Sequence, residues 1–413
     1  MLLEPPPLAV GHSPNVPPPL PAAVSSVPET VSLQPRSAAL LGPFPVPWRH
    51  PLRCMAWLVR AAFGTASLVL LLAVVAAIPL LNFVALGYML EAEGCVARTG
   101  RLRSANPLFR LAPRVGSIAL GIFLWLIPLQ ILASRAADAA VIDPTGAAAE
   151  RLATGKLVLA VITAVHLCMA LARGGTLGCF FRPIKNFRWL WRRFRDGDYW
   201  DHAHYHVMDF VSELRVRHHF FLGLKGAFGA FVWLLIPTAL YAFYDVQNRD
   251  QPEAIFVTVV GGFMLLIVFA WLPFLQARFA AENRLRAMFE LRAIRKAFRR
   301  SPLTWLVAIV AVYVLALPLY LTKARLLPHD AMWLITAVFI VSMYPARIIT
   351  GWVYHRAMTR PREAWFGWRW ASRLTMIPLL GIYVFLVFFS QAIGQHGKAG
   401  LFEHHAFLLP VPF

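Results

Sequence analysis

Eight apolar stretches, each close to the length needed to cross a bilayer, constrain this chain more than any other feature. They are Ala61–Leu90, Val115–Ala133, Leu157–Ala172, Phe220–Tyr244, Ala254–Gln276, Leu303–Leu321, Ala331–Tyr354 and Leu374–Ile393. A helix covers a hydrocarbon core of roughly 30 Å with about 20 residues. A water-soluble domain cannot hide so many such stretches, because its surface must still be polar. Composition agrees: 59% of the 413 residues are hydrophobic and 15% charged, against about a quarter charged in soluble domains. The fold class expected is all-α, a polytopic bundle of transmembrane helices.

Forty Lys and Arg against 20 Asp and Glu give a formal charge of +20. The cations lie between apolar stretches and form no separate basic domain, which points to anionic lipid and away from nucleic acid. The connection Phe180–His219 carries Arg182, Lys185, Arg188, Arg192, Arg193, Arg195, Arg215 and Arg217; Arg278–Arg300 and Arg356–Arg373 are also basic. The intervening connections, Ser134–Glu150, Asp245–Glu253 and Lys323–Asp330, are not. Basic connections are retained on the cytoplasmic side, so this alternation sets the expected orientation.

The first stretch breaks the alternation. Both its flanks are basic: Arg49, Arg53 and Arg60 before it, Arg98, Arg101, Arg103, Arg110 and Arg114 after it. A straight helix of this length would span roughly 45 Å. It contains Pro79, Asn82 and Gly87, residues that can interrupt a helix. A bent, re-entrant or hairpin-like segment is expected, giving about seven further full crossings and an outer C-terminus. A single long, tilted crossing is the alternative.

Residues 1–47 are rich in proline, as in Pro5-Pro6-Pro7 and Pro17-Pro18-Pro19. They read as a disordered or polyproline-like cytoplasmic tail and do not have the layout of a secretory signal. Residues 48–413 form the expected membrane domain, with 173–219 its largest cytoplasmic connection. Gly121–Pro128 is similar to Phe231–Pro237, with a fainter echo at Leu315–Pro318, and Ala-Arg recurs at 172–173, 277–278 and 346–347. Three helical hairpins and a final helix fit this pattern. The four cysteines form no C-x-x-C pair and read as small buried residues.

No phosphate-binding loop, H-E-x-x-H, G-x-S-x-G or cysteine array is present in the chain, so neither a catalytic residue nor a cofactor is expected. His202, His204 and His206 alternate with aromatic and small residues. They would bind a metal ion if the segment were extended; in a helix only His202 and His206 share a face. A polar interfacial stretch is the plainer reading. Within 183–195, Phe187, Leu190, Trp191 and Phe194 recur at helical spacing beside Arg188, Arg192 and Arg195. This is the pattern of a helix lying in the headgroup plane, with Arg188, Trp191, Arg192 and Arg195 contacting lipid. Plain anchoring is the alternative to specific recognition of anionic lipid. Trp365, Trp368 and Trp370 suggest a second aromatic belt. His166, Lys225 and Arg347 are ionisable residues inside apolar stretches, with Lys225 and Arg347 placed to snorkel outward.

Three segments carry a resemblance: Ile78–Tyr88, Trp271–Arg284 and the ending Phe407–Phe413. Together they resemble a family of uncharacterised bacterial multi-pass membrane proteins that carry a domain of unknown function. That resemblance implies a bacterial inner membrane and supplies no catalytic residue. The expected role is non-enzymatic: membrane organisation or complex assembly through basic aromatic loops that contact anionic lipid or a protein partner. A secondary transporter or channel is the first alternative, opposed by the lack of intramembrane carboxylates in the apolar stretches. An intramembrane metalloenzyme using the histidines is the second.

Overall fold

The computed structural model describes residues 45, 48–244, 251–324, 332–393, 397–403, 405 and 407–410, with backbone alone at 202, 320–324, 332–334, 391–393, 399 and 403. The proline-rich tail expected over residues 1–47 lies almost wholly outside the described residues. Those described are mostly helical, with no strand among them. In chain order the helices are α1 (Pro51–Ala77), α2 (Asn82–Thr99), α3 (Ala112–Ile142), α4 (Ala147–Ala172), the single turn α5 (Leu177–Phe180), α6 (Pro183–Asp196), α7 (Tyr199–Leu214), α8 (Val216–Tyr241), α9 (Pro252–Glu282), α10 (Leu291–Arg300), α11 (Pro302–Ala324), α12 (Met332–Thr359), α13 (Phe366–Ile393) and the short α14 (Gly400–Glu403). Among the described residues eight helical stretches are long and apolar enough to cross a membrane, covering α1, α3, α4, α8, α9, α11, α12 and α13.

Local sequence explains where these helices begin and end. Proline opens α1, α6, α9 and α11, where its missing N–H leaves no hydrogen bond unmade. Gly100 and Gly197, at φ of 70° and 75°, close α2 and α6 in the left-handed conformation, as does Asn283 at 52° after α9. Pro128, Pro237, Pro273 and Pro345 sit inside long helices. Packed transmembrane helices tolerate such prolines because neighbouring groups re-satisfy the freed carbonyls.

The first apolar stretch divides in two. Residues 78–81 leave the helix at Pro79, and Leu80 has a φ of 67°. The chain then reverses: α1 runs alongside α3, with Gly64 against Ala112 and Pro113 and Gly116 against Ser67, whereas α2 runs the other way. Of the bent, re-entrant and hairpin-like forms expected here the structure has the hairpin: α1 is itself long enough to cross, and α2 returns through the middle of the bundle. Both basic flanks therefore lie at the same end.

Helix α2 forms the centre of the fold. From Ala85 to Ala97 all but Cys95 are buried, and α2 packs on α8, α9 and α12. Gly87 lies against the His219 carbonyl and Gly223 against the Phe83 carbonyl. The two numberings run in opposite senses, so α2 and α8 are antiparallel and touch backbone to backbone. Small residues permit such approach, and close van der Waals packing is a principal source of helix association in lipid. On the other side α12 runs parallel to α2, with Tyr344 stacked on Tyr88, 6.1 Å between ring centroids, and Gly351 beside the Glu93 carbonyl.

Of the three hairpins α3/α4, α8/α9 and α11/α12, α8/α9 and α12 pack on this centre directly, and α3 packs on α1. Their outward faces are apolar. On α4, Leu157, Val158, Val161, Ile162 and Val165 are exposed, as are Leu374, Ile377, Ile382 and Phe385 on α13. A surface of this kind is stable only against hydrocarbon. Cys168, read from the sequence as buried, also lies exposed; Cys54 and Cys179 are buried and Cys95 is intermediate. Beyond α13 the chain folds back into the bundle, where Leu401, His405, Phe407 and Leu408 are buried.

Candidate functional site

The most distinctive surface is built by α6 and α7. Asn186 anchors α6: it is fully buried, donates from Nδ2 to the Cys179 carbonyl at 2.7 Å, and accepts from Arg173 at 2.9 Å. Arg193 pairs with Asp198. With that face held, the opposite face carries Ile184, Phe187, Trp191 and Phe194, each more than half exposed. Tyr199 extends the aromatic surface by stacking on Phe194, centroids 4.8 Å apart, and Trp200 is exposed beyond it. Arg188, Arg192 and Arg195 line one edge of this face, exposed and without an acidic partner among the described residues. An open cavity of about 460 Å³ is bounded by Phe187, Arg188, Trp191 and Arg192. Phe187 is shared with a neighbouring apolar groove of about 480 Å³ that runs up α4 past Val161 and Val165 to Trp125 and His166. At the start of α13, Trp365, Trp368 and Trp370 are exposed as well.

His202, His204 and His206 lie in α7. Successive helical residues turn by about 100°, so His204 projects away from the other two. The His202 side chain lies outside the described residues; His204 is exposed and His206 half-buried. Among the described residues no group of three His, Cys, Asp or Glu side chains is arranged to hold a metal ion.

The three intramembrane polar residues have three different environments. His166 is buried, its Nε2 2.9 Å from the Phe180 carbonyl, which also accepts from Trp125 Nε1 at 2.9 Å; the two rings lie 4.2 Å apart. This histidine joins α3, α4 and α5 and is satisfied where it stands. Lys225 is exposed on α8. Arg347 does not snorkel: it is fully buried and donates from Nη1 to Glu93 at 2.8 Å and to Gln276 at 3.2 Å. Its Nη2 donates to the Phe407 carbonyl, and its guanidinium lies 4.4 Å from the centroid of the Phe407 ring. Thr350 donates to the other Glu93 oxygen at 2.6 Å, and Gln276 Nε2 donates to the Leu408 carbonyl at 2.7 Å.

Glu93 was not anticipated. It corrects the expectation that no carboxylate lies inside the bundle, and with it the objection to the transport alternative. One sequence signal was available. Glu93 and Gln276 each stand seven residues before a left-handed residue followed by Arg-Leu-Arg, at Gly100–Arg103 and Asn283–Arg286. Both motifs make an extended arginine and a short 3-10 turn, Leu102–Ala105 and Leu285–Phe289. The C-terminal ends of α2 and α9 are thus built alike and offer equivalent side chains to Arg347.

Comparison with known families adds one assignment. Residues 211–327 match the model of a family described as a protein of unknown function (DUF4013). That stretch is a DUF4013 domain. It takes in the end of α7, the α8/α9 hairpin, α10 and the described part of α11, whereas α1 to α6, including the central helix α2, lie outside it. No match was found for the chain among curated proteins or solved structures. The DUF4013 domain therefore supplies two of the helices on which α2 packs, α8 and α9, while α12 lies outside it.

Proposed function

We propose that this is a bacterial inner-membrane protein that organises lipid or assembles a complex at the cytoplasmic surface, through the basic aromatic face of α6. On this reading the connections on the basic side face the cytoplasm and the last crossing ends outside. The observation that carries it is the pairing, on one helix, of an exposed aromatic face with a row of arginines that have no acidic partner among the described residues. Such a helix gains by burying aromatic area at the acyl boundary while its guanidinium groups meet phosphate. Arginine suits that contact because its planar fork binds phosphate oxygens in pairs.

The test is the lipid retained by the purified chain from mixed anionic and zwitterionic micelles. Each cation near an anionic surface contributes about 1 kcal/mol. The triple variant Arg188→Gln, Arg192→Gln, Arg195→Gln is therefore expected to lower the preference for anionic lipid about tenfold or more while leaving zwitterionic lipid unchanged. An unaltered preference would refute the reading. Protein-dependent solute flux in reconstituted vesicles would instead favour transport.

A further inference from the structure

A second cationic recess lies on the DUF4013 domain, away from α6. It is an open cavity of about 480 Å³ whose lining includes Arg215, Arg217, His218, Phe221, Lys225 and Asn283. Lys225 lies nine residues into α8 from Val216, about 14 Å along the axis. Its neighbours on that side, Phe221, Leu224 and Phe228, are exposed, so the ammonium stands on a face that hydrocarbon covers. A lysine there is costly unless its charge is drawn toward the interface or met by an anion.

The protein does not provide that anion among its described residues. Glu91 is shared between His218 and Arg98, each at 3.1 Å. Glu282 is taken by Arg278 at 3.0 Å and by Arg284. Arg215, Arg217 and Lys225 have no acidic partner among the described residues; Arg217 lies over the Phe221 ring, 5.9 Å from its centroid.

We propose that this recess is a headgroup site for an anionic phospholipid. The phosphate sits among Arg215, Arg217 and Lys225, and an acyl chain lies along Phe221 and Phe228. The apolar wall selects a lipid over a free phosphate ion. The site does not depend on the role assigned to α6.

The experiment is native mass spectrometry of the full chain, titrated with phosphatidylglycerol or phosphatidylcholine in the Arg188→Gln, Arg192→Gln, Arg195→Gln background. In that background a phosphatidylglycerol adduct is expected to persist. Adding Arg217→Gln and Lys225→Gln should weaken it about tenfold or more, at roughly fivefold per charge, while Lys225→Arg retains it and phosphatidylcholine adducts stay constant. Unchanged phosphatidylglycerol binding after both substitutions would overturn the proposal. So would displacement of the adduct by millimolar inorganic phosphate, which would assign the recess to a soluble anion. Should the double substitution disturb folding, seen as lost phosphatidylcholine adducts, Lys225→Gln alone decides, because its side chain is exposed. Failure of the α6 substitutions with success of these would refute the α6 reading alone.

Discussion

Replacing Arg347 with alanine is expected to destabilise the protein by about 3–5 kcal/mol, the range for removing one partner of a buried ion pair. Glu93 would remain fully buried, keeping the Thr350 hydroxyl but losing its counter-charge. The Phe407 carbonyl would lose its guanidinium donor and Gln276 its donor to Oε1. The pair joins α2, α9, α12 and the C-terminal segment, so the loss spreads over four parts of the chain. Thermal unfolding of the detergent-solubilised protein measures it. Because a buried pair need not stabilise relative to apolar residues of similar volume, Glu93→Met combined with Arg347→Met should recover most of the loss. Equal damage in the single and double variants would contradict this account of the pair.

Gly87→Leu should be more damaging than an ordinary core substitution. Overpacking a core costs about 1–3 kcal/mol when side chains can adjust. At Gly87 the obstacle is the backbone of α8, at the His219 carbonyl, and Gly223 meets the Phe83 carbonyl in the same way. Helix backbones cannot yield locally, so α2 must separate from α8 and the central helix loses its densest contact. Gly223→Leu should behave alike. Gly381→Leu on α13 is the control, since no atom lies within 4 Å of a Cβ added there. Size-exclusion profile and unfolding midpoint should fail for the first two and hold for the third. A well-folded Gly87→Leu protein would disprove the antiparallel contact.

Most of the architecture was legible in the sequence, because hydrocarbon imposes length and apolarity on every helix it touches. Each of the eight apolar stretches contains a helix, and the break in the first falls at Pro79. What could not be read was the part that lipid does not touch. Helix α2 carries Glu91, Glu93 and Arg98 within 18 residues, and by local hydropathy its second half belongs to a basic connection. A helix enclosed by other helices is free of the lipid constraint and can hold paired charges. The C-terminal segment was opaque for a related reason: its place depends on backbone carbonyls meeting Arg347 and Gln276, which leaves no periodic trace. The Arg-Leu-Arg echo at 101–103 and 284–286 was visible, but it becomes meaningful only once both motifs are seen to close central helices. The histidines of α7 show the reverse case, where a pattern suggestive in an extended chain loses its geometry in a helix.

Helix α6 shows how a local pattern becomes a surface. The period of its aromatics is helical, Asn186 fixes which side faces the bundle, and Ile184, Phe187, Trp191 and Phe194 on the remaining face stay more than half exposed.

The central claim, that this face lies in the bilayer boundary with its arginines among headgroups, is tested most directly by nitroxide scanning. Single cysteines from 184 to 196 would be labelled in reconstituted bilayers, after replacing Cys54, Cys95, Cys168 and Cys179. Oxygen collision rates should peak at Phe187, Trp191 and Phe194, and those of a water-soluble nickel chelate at Lys185, Arg192 and Asp196, with a period of about 3.6 residues. Nickel accessibility that is high and uniform along the whole helix would place α6 in water and contradict the account.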